Sequence, residues 1–276
     1  MVFDFHTHCF PDHLAARAMA SMVDRLCIEF TPIGDGTMGN LLDAMESHGV
    51  DRCALCQIAT KPGQSDVLLA TAKAIMAGEL GERAQRMIVP FCSVHPDSPD
   101  FERRMKDIAE AGVKGLKIHP FYQGFHLDDP ARRRYFEAIR DFGFVLQCHC
   151  GFDPGFENDG RCGPVHVANL LKAVPGLKFV AAHLGGWDDP FDGNVDQLID
   201  LGCYADTAVL EYDRGKPEPD AVMRKWPAES LLFGTDYPWN DYGQIIPWVR
   251  ARRSAADLDL IMGGNAARIL GVLPSS

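Results

Sequence analysis

The feature that most constrains the fold is a regular alternation of short apolar runs with amphipathic stretches of helical periodicity. Short apolar runs bounded by turn residues are typical of buried strands, whereas apolar residues three and four apart indicate a helix packed by one face. Eight runs are predicted to be strands: Val2–Thr7, Arg52–Ile58, Met87–Ser93, Val113–His119, Phe144–His149, Leu177–His183, Gly202–Thr207 and Ser230–Thr235. The predicted helices between them include Met38–Ser47, Ser65–Ala77, Phe101–Ala111, Ala131–Phe142, Val165–Ala173 and Gln244–Arg253.

Alternating strands and helices predict a parallel sheet, and eight repeats favour its closure into a (β/α)8 TIM barrel. The chain has 276 residues and contains no Ser/Gly-rich or charged linker, so residues 1–276 are predicted to form one domain. An open doubly wound sheet is the alternative. It would usually place a glycine-rich turn after its first strand, and His8-Cys9-Phe10-Pro11 is not such a turn. Two long segments, residues 9–37 and 152–163, follow strands and are therefore expected on the face that carries active sites.

Charge and cysteine content restrict the partners and the compartment. The formal net charge of -11 disfavours a nucleic-acid partner, and no secretory or membrane-spanning segment is visible. The nine cysteines include Cys53 and Cys56, whose spacing in a strand puts the two thiols on opposite faces. We therefore expect the cysteines to be mostly buried, reduced thiols in a cytoplasmic protein. The expected partner is a small-molecule substrate. The sequence leaves a homo-oligomer open.

Histidines mark the end of the first predicted strand. His6 and His8 are two residues apart, so their side chains share a face and project toward the barrel axis if Phe5 and Thr7 face outward. Two neutral imidazoles at this spacing suit a transition metal such as zinc. An isolated pair of this kind is weak evidence, but its position at a strand end strengthens it.

Three more strands end in an ionisable residue. His149, His183 and Asp236 are each the first such residue after an apolar run. Burying one of these groups requires a partner or a metal, and in a barrel the carboxyl ends of all the strands meet at one mouth. The sequence therefore predicts one polar centre built from several strands.

These motifs resemble the amidohydrolase superfamily, and in particular its amidohydrolase-2 branch of metal-dependent TIM barrels. The resemblance covers nearly the whole chain and is carried by His6-Thr7-His8, by His149, by His183 in AAHLGG and by Asp236 in FGTDYPW. It implies that His6, His8 and Asp236 bind a divalent metal, with zinc the expected ion and one or two ions per chain. It further implies that His149 is another ligand and that His183 polarises the substrate or binds a second metal.

Lys117, on the fourth predicted strand, has three interpretations. Some members of the superfamily carboxylate a lysine on this strand to bridge two metals. Lys117 could instead bind a substrate carboxylate as an ammonium, or pair with a buried acid. His119 shares its face and is expected beside the site.

The predicted activity is hydrolysis of a small amide, ester or lactone by metal-activated water, with Asp236 transferring the proton and His183 stabilising charge on the carbonyl oxygen. Two alternatives stay open. One is a metal-dependent decarboxylase or hydratase of a small unsaturated or aromatic acid, because the branch contains both. The other is a barrel that binds a metal or ligand without catalysis, although ligands spread over several strand ends disfavour a closed structural site.

Overall fold

A computed structural model describes residues 1–272 of the chain and confirms the predicted barrel. Eight parallel strands are hydrogen-bonded in sequence order. Their bounds are β1 Phe3–Thr7, β2 Arg52–Cys56, β3 Ile88–Cys92, β4 Gly115–Ile118, β5 Val145–Cys148, β6 Lys178–Ala181, β7 Tyr204–Asp206 and β8 Leu231–Leu232. Each lies within its predicted run and is shorter than it, because the residues that follow turn out of the sheet to form the mouth.

Backbone hydrogen bonds near the ends of β1 and β8 close the barrel. The Phe5 amide donates to the Phe233 carbonyl at 2.8 Å, and the Asp236 amide donates to the His6 carbonyl at 2.7 Å. Thr7 and Tyr237 form a parallel bridge further along. The His6-Thr7-His8 motif and the FGTDYPW motif are thus direct neighbours in the barrel.

Helices cover the outside of the barrel. Their bounds are Asp12–Val23, Met38–Ser47, Ser65–Met76, Glu82–Met87, Phe101–Glu110, Pro120–Gln123, Arg133–Asp141, Pro164–Ala173, Asp196–Asp200, Glu211–Arg214, Pro217–Lys225, Tyr242–Arg250, Ala255–Asp259 and Asn265–Leu270. Short 3-10 turns occur at Pro130–Arg132 and Ala228–Ser230, and a π-type turn at Leu260–Gly264. No helix among residues 1–272 is long and apolar enough to cross a membrane.

One orientation expected from simple alternation is wrong. Phe5 does not face outward; it packs in the buried cluster between the strands, with its ring centroid 5.5 Å from that of Phe91. The cause is an irregularity in β1, where the register against β2 shifts between Asp4 and Thr7. The extra residue lets Phe5 fill the barrel while His6 reaches its mouth.

Candidate metal centre and active site

A cavity of about 280 Å³ opens at the carboxyl ends of the strands. Its walls include apolar side chains from the segments after β1, β2, β6, β7 and β8: Met22, Leu26, Phe30, Ile58, Leu68, Trp187, Val209, Leu210 and Trp239. Its floor carries the polar residues predicted from the strand ends: His6, His8, Lys117, His149, His183 and Asp236. An apolar cavity with a few converging polar groups is the usual form of a small-molecule site.

His6, His8 and Asp236 form one donor cluster. Oδ1 of Asp236 lies 3.3 Å from Nε2 of His6 and 3.1 Å from Nε2 of His8. One nitrogen or oxygen atom from each of the three side chains lies within 4.8 Å of the others. The structure thus brings together three of the predicted metal ligands, which come from β1 and from the turn after β8.

Asp206, at the end of β7, orients His6 within this cluster. Its Oδ2 lies 2.9 Å from Nδ1 of His6, and it also accepts from Nε2 of Gln147 at 2.9 Å. A carboxylate only accepts, so Nδ1 of His6 carries the hydrogen and Nε2 presents its lone pair toward Asp236. Burial lowers the pKa of His6 to about 4, which keeps the ring neutral and able to bind a metal.

Nearby imidazoles control the charge of Asp236. Burial by itself would raise the pKa of this carboxyl, but the surrounding histidines, including a hydrogen bond from His8, outweigh that effect and hold the pKa well below its usual range. Asp236 is therefore an ionised acceptor near neutral pH. Two imidazole nitrogens and a carboxylate oxygen at these distances are a donor set that fits a zinc-like divalent ion.

Lys117 projects from β4 into the same cluster. Its side chain is 1% exposed, and Nζ lies 2.9 Å from Nε2 of His6. Among the residues whose side chains the structure describes, 1–210 and 213–272, no ion pair joins Lys117 to a carboxylate within 4.0 Å. The contact with His6 places the lysine next to the lone pair that a metal would use.

His183 and His149 lie beside this cluster and contact each other. Nε2 of His183 is 3.0 Å from Nδ1 of His149, and Nδ1 of His183 is 2.7 Å from the Ala208 carbonyl. A carbonyl can only accept, so Nδ1 of a neutral His183 carries the hydrogen and its Nε2 is a lone pair. In that tautomer His183 cannot donate to a substrate oxygen; it can do so only when protonated.

His149 and His119 belong to a second donor cluster, together with Asp153. Nε2 of His119 lies 3.1 Å from Oδ2 of Asp153, and Nε2 of His149 lies 3.9 Å from the same oxygen. Burial lowers the pKa of both imidazoles well below the usual range. The atoms of His149 that could bind a metal thus lie near those of His119 and Asp153 and do not belong to the His6, His8 and Asp236 cluster.

Unusual backbone turns place these side chains. His183, Leu184 and Gly185 all have positive φ, so the chain after β6 makes a left-handed turn that the glycines of AAHLGG make easier. Gly234, in FGTDYPW, packs closely against two site residues: a Cβ there would lie 3.0 Å from Cβ of Asp206 and 3.1 Å from Cβ of His6, tighter than an ordinary contact. The glycines in these motifs thus allow the close approach of the functional residues.

Two acids beside these clusters, Asp206 and Asp153, were not among the residues predicted from the sequence. Asp206 is the first carboxylate or histidine of β7 and ends that strand, so the rule that found Asp236 would also find it. Asp153 carries a weaker signal, because it lies in the irregular segment after β5 where acidic residues are common. Its role becomes visible only when the loop is seen to bring it back onto His119 and His149.

Histidine and aspartate side chains gather at the carboxyl-terminal mouth of this (β/α)8 barrel, which is where enzymes with this fold carry their active sites. The family model described as Amidohydrolase matches residues 3–272. The chain therefore belongs to the amidohydrolase family, as its motifs predicted, and this family is usually metal-dependent. Comparison with curated protein sequences finds no match.

Several solved structures share the fold. An uncharacterised TIM-barrel protein from Bordetella bronchiseptica is 19% identical, with a TM-score of 0.73 and 98% of each chain covered. A putative 2-pyrone-4,6-dicarboxylic acid hydrolase from Pseudomonas putida is 18% identical, with a TM-score of 0.68 and coverage of 99% and 98%. A 5-carboxyvanillate decarboxylase from Sphingomonas paucimobilis is 18% identical, with a TM-score of 0.69 and 99% of each chain covered. At these identities the likeness shows the fold and leaves the reaction to be argued from the site.

Proposed function

We propose that this protein is a metal-dependent hydrolase of a small, uncharged amide, ester or lactone with an apolar body. The observation that carries the proposal is the charge of the cavity. Among the described residues that line it, Lys117 is the only lysine or arginine, whereas Asp153, Asp188, Asp213 and Asp236 are acids. Such walls disfavour a carboxylic acid substrate, which a decarboxylase requires, because a buried carboxylate needs a cationic or hydrogen-bonding partner and the one basic side chain described there, Lys117, already contacts His6.

His6, His8 and Asp236 would hold the ion, with zinc the expected identity. A divalent ion in such a site acts as a Lewis acid and lowers the pKa of a coordinated water from 15.7 to about 7. Asp206 holds the His6 ring in the tautomer whose Nε2 lone pair faces the cluster. This arrangement matches the common pairing of a ligating histidine with a carboxylate on its other nitrogen.

Asp236 is the proposed proton carrier. Its carboxylate is ionised and borders the cavity, so it can accept a proton from the attacking water and return it to the leaving group. The Lys117 ammonium is the proposed partner of the carbonyl oxygen that gains negative charge. With an ion held by Nε2 of His6, the Lys117 hydrogen that faces this nitrogen would be available to donate to the carbonyl oxygen. A protonated His183 could assist from the adjoining side of the cavity.

Product analysis in isotopically labelled water tests the reaction class. The protein is incubated with a panel of lactones, esters and cyclic amides in water enriched in oxygen-18 and, separately, in deuterium oxide. Hydrolysis breaks the bond between the acyl carbon and the leaving oxygen or nitrogen, with the hydroxyl of water added to the acyl carbon and its hydrogen to the leaving atom, so we expect one labelled oxygen in the acid product and no deuterium on carbon. Release of carbon dioxide with deuterium placed on carbon would reject the hydrolase and leave the fold and the donor clusters unchanged.

A matched pair of substrates tests the charge argument separately. For an ester or lactone that is turned over, kcat/KM is measured for the neutral compound and for an analogue with a carboxylate at the far end of the molecule. We expect the neutral compound to be favoured by about tenfold or more, because a carboxylate at the far end would be desolvated among apolar walls without a cationic partner, and 1.4 kcal/mol of that cost already corresponds to a factor of ten. Protein treated with a chelator is the control, and its turnover should be lost. Preference for the carboxylate would contradict the proposed substrate class.

A further inference from the structure

Two carboxylates on the β6 and β7 side of the cavity have no role in the hydrolysis proposed above. Asp188 lies in the loop after β6, and Asp213 lies in helix Glu211–Arg214 after β7. Both border the cavity. Neither contributes an atom to the clusters of possible metal ligands found among the described residues. These two residues are called the Asp188/Asp213 pair below.

Asp213 is a buried carboxylate that keeps one oxygen free. Its residue is 5% exposed, and Nζ of Lys216 donates to its Oδ1 at 2.7 Å. Within the part of the chain whose side chains are described, residues 1–210 and 213–272, no group donates a hydrogen bond to its Oδ2. Because the residue borders the cavity, this second oxygen is an acceptor that a bound molecule can use.

Asp188 is held in a similar way, through the backbone of the loop after β5. The amide of Phe152 donates to Oδ1 of Asp188 at 3.2 Å. The neighbouring Gly151 has a φ of +85°, and a Cβ on it would overlap this Oδ1, so the absence of a side chain at Gly151 leaves the room that Asp188 occupies. No donor to Oδ2 of Asp188 is found in residues 1–210 and 213–272 either.

The surroundings provide too few hydrogen-bond donors for this pair. Desolvation raises the pKa of Asp188 to about 7, and the negative charge of Asp213 acts in the same direction. The cavity walls that adjoin the pair in sequence, Trp187, Val209 and Leu210, are mainly apolar. A carboxylate in such a place is stabilised only when donors reach its oxygens. The two free oxygens therefore favour a ligand that brings hydrogens to them.

The charge around the pair favours an uncharged donor over a cation. The ammonium group of Lys216 already balances the charge of Asp213. The raised pKa of Asp188 shows that this carboxyl also loses its charge easily. An ammonium ion would have to give up its water among apolar walls, and that desolvation is costly. A hydroxyl or N–H group can satisfy a free oxygen at a lower desolvation cost.

We propose that the Asp188/Asp213 pair is the part of the cavity that recognises an uncharged O–H or N–H donor on the substrate, away from the bond that is hydrolysed. This inference rests on the proposed function only in taking the ligand to be a substrate. A site built to accept a hydrogen bond rejects an analogue that lacks the donor, because the buried acceptor is then left unpaired. The pair is therefore a specificity determinant of the cavity.

Three bicyclic probes of similar size test the proposal without a reaction. Indole carries an N–H donor, benzofuran has an oxygen acceptor in the same place, and isoindoline is a cation at pH 7. Their Kd values for the purified, folded protein are measured by ligand-observed NMR titration. We expect indole to bind about tenfold or more tightly than benzofuran, because a hydrogen bond to a charged group is among the stronger ones in proteins. We also expect indole to bind more tightly than isoindoline.

Two variants of matched size locate the effect. Asp188→Asn and Asp213→Asn each keep an oxygen for the existing hydrogen bond and replace the free oxygen with an amino group, which donates. Each should reduce the preference for indole over benzofuran by about tenfold. Asp153→Asn changes another cavity carboxylate and is the control, which should keep the wild-type preference. Circular dichroism checks folding, and either variant of the pair carries the expectation if the other does not fold.

The results are separable from those of the hydrolase test, because none of the probes contains a bond to be hydrolysed. An equal preference in wild type, Asp188→Asn and Asp213→Asn overturns the recognition proposal and leaves the hydrolase standing. Loss of the preference in Asp153→Asn alone assigns it to another carboxylate and also overturns the proposal. Tighter binding of isoindoline than of indole would contradict the uncharged class of donor.

Discussion

At the scale of single residues, hydrogen bonds to groups that can only accept determine what each histidine can do. Asp206 requires a hydrogen on Nδ1 of His6, and the Ala208 carbonyl does the same for His183. Nε2 of His6 is left with a lone pair on the side of Asp236. Nε2 of His183 accepts from Nδ1 of His149, so Nε2 of His149 is left with a lone pair on the side of Asp153. The residue types alone do not contain this information, because a neutral imidazole has two tautomers.

Asp206 should therefore act as a positioning residue for the metal site. We expect Asp206→Asn to weaken metal affinity at the His6, His8 and Asp236 cluster by about 10–100-fold, the usual effect of losing a group that orients a ligand. Competition with a chelator of known affinity measures the change. Asp188→Asn serves as the control and should leave the affinity unchanged. Equal affinities in wild type and Asp206→Asn would show that His6 does not need this carboxylate.

Asp236 should behave differently, because it is proposed to carry a proton as well as to bind the ion. Asp236→Asn retains an oxygen that can face the metal but cannot accept and return a proton. We expect turnover of an identified substrate to fall by about 10²–10⁴-fold, the typical contribution of a general acid–base group, with a smaller loss of bound metal. Steady-state kinetics and metal analysis of the same preparation give both values. Parallel losses of metal and turnover would reduce Asp236 to a ligand.

At the scale of the elements, the barrel interior depends on a pairing of large and small residues across neighbouring strands. Phe91 on β3 is the register partner of Gly115 on β4, and its ring covers the position where a β4 side chain would begin. A Cβ on Gly115 would lie 2.3 Å from this ring. Lys117 lies two residues later on the same strand. The close packing of Phe91 on Gly115 therefore helps to fix the position of the strand that carries Lys117.

Gly115→Ala should therefore destabilise the barrel. Overpacking of this kind typically costs about 1–3 kcal/mol, because neither the Phe91 ring nor the two strands can move away freely. The free energy of unfolding from urea denaturation measures the change. Gly39→Ala is the matched control: Gly39 lies in helix Met38–Ser47 with open space around its Cβ position, and alanine there should be neutral or stabilising by up to about 1 kcal/mol. Equal stabilities of the two variants would contradict the packing argument.

At the scale of the whole molecule, burial decides the chemistry of the cysteines. All nine are free, eight are buried, and Cys27 alone is exposed, so the expectation of mostly buried thiols is met by the structure. Burial raises the pKa of Cys9, Cys56 and Cys92 to about 12, far above the pH at which thiol reagents are used. The reactive form of a cysteine is the thiolate, which these residues do not populate near neutral pH.

A thiol assay should therefore count one reactive cysteine in the folded chain and nine after unfolding in denaturant. Ellman's reagent at pH 8 provides both counts. Cys27→Ser should abolish the reaction of the folded protein and leave eight thiols in the unfolded one. Rapid reaction of two or more thiols in the folded chain would mean that the barrel opens far more readily than its packing indicates.

Local patterns in the sequence were enough to predict the barrel and the mouth at which the candidate site residues lie. Apolar periodicity repeats along the chain and is local, so it predicted all eight strands, and the strand-end rule pointed to His6, His8, His149, His183 and Asp236. The tertiary structure decided which of these residues meet. The extra residue in β1, the left-handed turn after β6 and the loop that returns Asp153 to His119 each depend on contacts between segments far apart in the chain. Local patterns carry no record of such distances, and for that reason the division of the polar residues into two donor clusters appeared only in the folded molecule.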